Sequence, residues 1–355
     1  MSSLIDSVRN AVGSTLFDYA VSPLVKILVL LFLIILPLIA YLTFAERKIL
    51  GYMQARLGPN RVGPWGLLQP IADVMKLLVK ADSIPNRAVK WAFILAPCLV
   101  VGPAVIIFSV IPLGPPGKSG GLSWFITDVN TGLLFIVALA TIGVYGLIIG
   151  GWSSNNKFSL MGGLRSAAQM ISYEVPQGLA LVGPLLLAGS LSLVKIVEAQ
   201  QKIWFIIPQI VAFFIYFVAG VAESNRNPFD LPEAESELVA GYHTEYSGMR
   251  FALFFLGEYA NMIVISAVAT TVFLGGWLRP FSNVEALAFL DVVPGVIWFS
   301  LKVFVFLFIY IWFRGTFPRY RFDQLMELGW KWLLPLALAN LAATALIKLL
   351  INRLA

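Results

Sequence analysis

Metal-ligating residues are almost missing from this chain. It has one cysteine, Cys98, and one histidine, His243, in 355 residues. No Cys-x-x-Cys, no His-Glu-x-x-His and no histidine pair occurs. The chain cannot by itself build an iron–sulfur cluster, a bis-histidine haem site or a zinc centre. Glycine-rich phosphate loops are absent too, so nucleotide binding has no motif, and nothing points to a flavin or a nucleic-acid partner. Charge is scarce: 12% of residues are charged, against about 25% in soluble domains. Apolar residues make up 59% of the chain, and its mean hydropathy is +0.85. This balance belongs to an integral membrane protein. Period-two alternation is lacking, which favours helices over a barrel.

A spanning helix needs about 20 apolar residues. Eight segments qualify: Leu24–Phe44, Trp91–Leu113, Thr131–Gly151, Leu164–Gly189, Ile203–Ala222, Phe251–Trp277, Pro294–Phe313 and Trp332–Ile351. Residues 1–23 suit a short interfacial piece. They carry no basic start or cleavage site, so the first apolar segment is expected to stay in the protein. The stretch PWGLLQPIADVMKLLVK, from Pro64 to Lys80, puts Leu67, Leu68, Ile71, Val74, Met75 and Leu78 on one helical face. Gln69, Asp73, Lys76 and Lys80 fall on the other, as in a helix lying along a membrane surface. The expectation is one all-α membrane domain over residues 1–355, with about eight transmembrane helices and one interfacial amphipathic helix. Connections 46–90 and 223–250 lie on the side richer in Lys and Arg. By the positive-inside rule that side is cytoplasmic and both termini face outward. Such a layout suits a bacterial inner membrane.

Acidic residues gather in one place. ESNRNPFDLPEAESELVAGYHTEYSGMR, from Glu223 to Arg250, carries Glu223, Asp230, Glu233, Glu235, Glu237 and Glu245, and Glu258 follows inside the next apolar segment. A solvated loop accounts for Glu235 and Glu237. It does not account for Glu258, nor for Glu174 in the apolar ISYEVPQG, because a carboxylate in a bilayer costs several kcal/mol unless it lines a polar cavity. Lys302 also lies within an apolar segment. Three acids at staggered depth, with a lysine available, point to a proton relay rather than to glue between helices.

Four blocks carry a resemblance: ERKILGYMQARLGPNRVGPWGLLQPIADVMKL, ISYEVPQG, ESNRNPFDLPEAESELVAGYHTEYSGMRFALFFLGEYANM and FPRYRFDQLMELGWKWLLP. They resemble the quinone-binding membrane subunit of respiratory complex I, known as the H subunit in the bacterial proton-pumping NADH:quinone oxidoreductases. The resemblance implies an eight-helix fold and a bound quinone, ubiquinone or menaquinone, with no metal or flavin in the chain. It implies an iron–sulfur subunit and small membrane subunits as partners within the bilayer. By motif, Arg47, Arg56, Asp73, Arg226, Asp230 and Glu233 match residues of the quinone passage and the loop beneath it. Glu174, Glu223 and Glu258 match the start of a glutamate-lined proton path, to which Glu235, Glu237 and Lys302 are joined. Arg319 and Arg321 match a basic pair that meets the peripheral arm. Two other readings stay open on the residues alone. One is the equivalent subunit of a membrane-bound hydrogenase, disfavoured by the intact ARLGPNRVG and acidic loop. The other is a stand-alone ion transporter, disfavoured by the lack of internal repeats.

Overall fold

The computed structural model describes residues 22–115, 126–231, 239–280 and 285–354, and every regular element among them is a helix. Among the described residues, seven helices are long and apolar enough to cross a membrane. The first crossing begins as α1 (Ser22–Val29), passes through a π-helical turn at Leu30–Ile35 and continues as α2 (Leu36–Met53). After it come the amphipathic α3 (Gln69–Val79), α4 (Lys90–Ile107), α5 (Gly132–Ser153), α6 (Lys157–Ala188), the short α7 (Leu193–Ala199), α8 (Ile210–Glu223), α9 (Gly248–Phe273) and α10 (Gly295–Thr316). The last crossing repeats the device of the first. A short α11 (Phe322–Glu327) leads through π-helical Leu328–Leu333 into α12 (Leu334–Leu354). In both, a proline (Pro37, Pro335) sits two residues beyond the π turn. A proline ring has no N–H and collides with the carbonyl four residues back. A wider turn just ahead of it absorbs that mismatch.

Two expectations need correction. The crossing expected over Ile203–Ala222 is helical only as α8, and the residues before it run in turns. Pro208 stops helical hydrogen bonding there, leaving a helix of 14 residues. The crossing expected from Leu164 starts two turns earlier, where the Asn156 side chain accepts the Phe158 N–H and caps α6. The segment expected over 1–23 lies almost wholly outside the described residues, as do Glu233, Glu235 and Glu237.

The core forms around α9, where every residue from Met262 to Phe273 is buried. A helix that is apolar all round must be enclosed by others, and α2, α4, α8 and α10 pack against it. At the other extreme, α12 exposes Leu346, Ile347, Leu350 and Ile351, as a helix facing lipid tails does. Besides buried Ala337, polar contacts hold it. Gln209 donates to Thr344 and accepts from Asn340, each at 2.8 Å. Hydrogen bonds of this kind supply the adhesion that apolar contact cannot give between helices already in hydrocarbon.

Candidate functional site

The C-terminal ends of α2, α8 and α10 and the start of α9 meet at one face of the bundle. There, residues 54–68 fold back over the end of α2. Lys48 pins this loop by donating to the carbonyls of Pro59 (3.0 Å) and Trp65 (3.2 Å). Gly66, at φ +83°, closes the fold: a Cβ on it would lie 2.3 Å from the Pro59 carbonyl oxygen. Beneath the loop is an open cavity of ≈890 Å³. Its rim is basic, with Arg47, Arg56, Arg61 and Arg314, and its walls include Leu50, Leu57 and Phe255. Arg47 pairs with Asp73 of α3 at 2.7 Å, and Gln69 donates to the other oxygen of Asp73 at 3.0 Å. This ties the amphipathic helix to the cavity. The apolar face of α3, with Ile71, Val74, Met75 and Leu78, is exposed, as a surface that rests in a bilayer requires.

The cavity floor is a buried ionic cluster. Glu46, 4% exposed, accepts from Arg314, from Arg226 at 3.3 Å and from the Tyr259 hydroxyl at 2.9 Å. Arg226 also pairs with Glu258 at 2.7 Å and stacks its guanidinium 4.2 Å from the Tyr259 ring centre. Burial opposes the charge of Arg226. Glu258 and Glu46 outweigh that penalty and hold its pKa well above the ordinary arginine value. The loop that carries Arg226 is fastened from both sides. Gln169 of α6 donates to the carbonyls of Ala222 (2.7 Å) and Phe229 (2.8 Å), and Asn227 donates to that of Phe317 at 3.0 Å.

Deeper in the bundle, Glu174 of α6 and Glu223 at the end of α8 line one small chamber with Gln177, Tyr216, Val264 and Val268. Its ≈30 Å³ is enough for a water molecule, which needs about 10–15 Å³ by this measure. Thr141 of α5 donates to Glu174, and Gln177 faces Glu223. Tyr310 of α10 lies within electrostatic reach of both Glu223 and Arg226. The Tyr310 side chain is buried between them, and its hydroxyl makes no hydrogen bond to either.

Of the residues expected from sequence, Arg47 and Arg56 line the cavity and Asp73 braces it. Arg226 lies beneath the floor, bonded to Glu46. Glu174 and Glu223 share the chamber, and Glu258 belongs to the ionic cluster. Asp230 is turned toward Arg319 at 3.0 Å. Lys302 stands apart. Its ammonium donates to the carbonyls of Leu274 (2.7 Å), Gly276 (2.9 Å) and Leu278 (2.7 Å) at the far end of α9. The sequence alone groups Glu46 with its basic neighbours at the interface. It gives Arg314 no role beyond topology and does not single out Tyr310, Gln177 or Thr141. Among the described residues, no group of three or more His, Cys, Asp or Glu could hold a metal ion.

A multi-pass helical membrane protein with a basic cavity and carboxylates set among its apolar helices is the class these features define. Residues 25–345 match the family model described as NADH dehydrogenase. The chain is 54% identical over 325 residues to an H subunit of NADH-quinone oxidoreductase from Geobacter metallireducens, covering 90% of this chain and 95% of that one. It is 54% identical over 317 residues to an H subunit from Geobacter sulfurreducens, with coverage of 89% and 93%. It is 49% identical over 342 residues to the H subunit of Magnetococcus marinus, covering 96% of both. The chain belongs to this family, the H subunits of NADH-quinone oxidoreductase.

Proposed function

We propose that the basic cavity receives a quinone from the membrane and that the carboxylates below it couple its reduction to proton translocation. The residues fit such a substrate. A cavity of ≈890 Å³ is within the usual range for small-molecule sites. Its walls offer apolar surface for a ring and arginine donors for carbonyl oxygens. The exposed apolar face of α3 gives an entry from the bilayer. Electrons would come from an iron–sulfur subunit seated over the cavity, with small membrane subunits alongside; this chain would contribute no redox centre of its own. The chain would sit in a bacterial inner membrane with both termini on the periplasmic side and the cavity facing the cytoplasm.

Taking up two electrons in the cavity calls for two protons, and acids close to the site supply them best. Charge developing there would act on Glu46 and Arg226 through a medium of low dielectric, where one charge is felt far more strongly than in water. Arg226 would carry the disturbance to Glu258 and, past Tyr310, to Glu223 and Glu174. Protons would then be exchanged between that chamber and its surroundings. Asp230 with the neighbouring loop acids Glu233, Glu235 and Glu237 would replenish the cavity side. Lys302, with its ammonium occupied by carbonyls, would serve as a structural cap.

The observation that carries this reading is the placement of Arg226, bonded at once to Glu46 of the cavity floor and to the intramembrane Glu258. Photo-crosslinking the assembled enzyme with a quinone analogue tests it. Label is expected on peptides bearing Arg47, Arg56 and Phe255. Label confined to other faces of the bundle would refute it.

A further inference from the structure

The opposite end of the bundle holds a second cavity, of ≈570 Å³, where α9 ends and α10 begins. It lies beyond the C-terminal end of α9, whereas Glu258 sits in the first half of that helix. Its walls include Lys202, Trp277, Arg279, Asp291, Gly295 and Trp298. Two cations face one carboxylate, so the cavity is net positive. Arg279 is fixed against the wall by Asp291 at 2.9 Å, with its own side chain only 12% exposed. Trp298 presents an indole N–H that is shielded from water and meets no acceptor among the described residues. Gly295, the first residue of α10, lines the cavity, and no side chain caps that helix end.

The wall is built rather than incidental. Lys302 binds the carbonyls of Leu274, Gly276 and Leu278 into one turn and lies 4.3 Å from the Trp204 ring centre. Gln200 accepts the Gly275 N–H at 3.0 Å. Gly276 has φ +51°, and a Cβ on it would press on Val197 at 2.7 Å. Running from the cavity along α10 toward the membrane centre is a stripe of exposed Ile297, Leu301, Val305 and Phe308.

We infer that this cavity holds the phosphate headgroup of an anionic phospholipid in the leaflet opposite the acidic cluster, with its acyl chains along the α10 stripe. The parts match the ligand. Lys202, Arg279 and the Trp298 N–H are donors for phosphate oxygens. Tryptophans belong at the level where hydrocarbon meets headgroups. An apolar track leading from a positive pocket distinguishes a lipid from a soluble anion. The site needs nothing from the quinone reading.

The assembled complex, reconstituted in nanodiscs, tests this with headgroup-photoactivatable phosphatidylglycerol and phosphatidylcholine as tracers, followed by peptide mapping. Phosphatidylglycerol should label peptides bearing Trp277–Arg279 or Asp291–Trp298. Lys202→Gln, at an exposed position, should lower that labelling about five-fold, the weight of one cation near a membrane surface. Trp298→Phe should lower it while keeping the ring in place, and NADH:quinone turnover should be unchanged in both variants. Equal labelling by the two lipids would overturn the inference. So would displacement by inorganic phosphate but not by chloride at matched ionic strength, which would mark a soluble-anion site. Crosslinking of these peptides to another polypeptide in place of lipid would overturn it as well.

Discussion

Arg226 and Glu258 lie 2.7 Å apart with side chains 5% and 11% exposed, although one comes from a loop and the other from within a membrane helix. Glu46 is the second carboxylate on the same guanidinium. Removing one partner of a buried pair costs about 3–5 kcal/mol, because the remaining charge has no solvent to return to. Arg226→Met removes the cation that Glu258 and Glu46 share, and leaves Glu46 with Arg314. The amount of assembled complex and its thermal midpoint should fall sharply. Arg226→Lys should recover the charge but not the simultaneous contacts of the fork, and so rescue only in part. Wild-type stability in Arg226→Met would show that the cluster is not held as described.

The pair Arg47–Asp73 belongs to a different regime. Its side chains are 55% and 31% exposed, and pairs of that kind contribute no more than about 1 kcal/mol. Asp73→Asn should leave assembly and thermal stability within that margin. Arg47→Ala should also assemble, and should raise the KM for quinone several-fold with a smaller effect on kcat. An unchanged KM would remove Arg47 from the cavity's function.

Much of this is legible in the sequence, and the limits are physical. Apolar length alone locates seven crossings. It misplaces the start of α6, because KFSLMGG is too polar to register as membrane although Asn156 caps it. It overextends α8, because Ile203 to Gln209 is apolar yet ends in turns at Pro208. Glu174 and Glu223 stand out as charges in apolar runs, and they share a chamber. Glu46 and Arg314 do not stand out, because charges at helix ends are what topology requires of any membrane protein. Their meeting joins residues 268 apart in the chain, and no local pattern reports that. Lys302 reads as a partner for the acids in the sequence, whereas in the fold three carbonyls occupy it.

Gly66 allows the loop above the cavity to fold onto Pro59. Gly66→Ala would force a Cβ to within 2.3 Å of a backbone oxygen at a φ of +83°, a conformation that side chains rarely adopt. The loop must then shift. The expected result is an assembled enzyme whose quinone KM rises and whose cavity peptides lose protection in hydrogen exchange. Unaltered exchange over residues 54–68 would contradict this.

Lys302 separates a cap from a relay. Lys302→Met strips three carbonyls of their donor, each at a cost of about 1–3 kcal/mol if left buried and unmet. Less complex should assemble, and the enzyme that does should keep its ratio of protons moved to NADH oxidised. Full assembly with that ratio lowered would return Lys302 to the proton path.

The account depends on Glu174 and Glu223 sharing one chamber as working acids. NADH-driven quinone reduction and acidification, recorded together in inverted membrane vesicles carrying Glu174→Gln or Glu223→Gln, test it most directly. Both variants should assemble, since glutamine keeps the shape and hydrogen-bonding groups, while turnover and acidification fall together by about a hundredfold, the lower end of acid–base contributions. Vesicles in which both variants reduce quinone and acidify at the wild-type rate would contradict it.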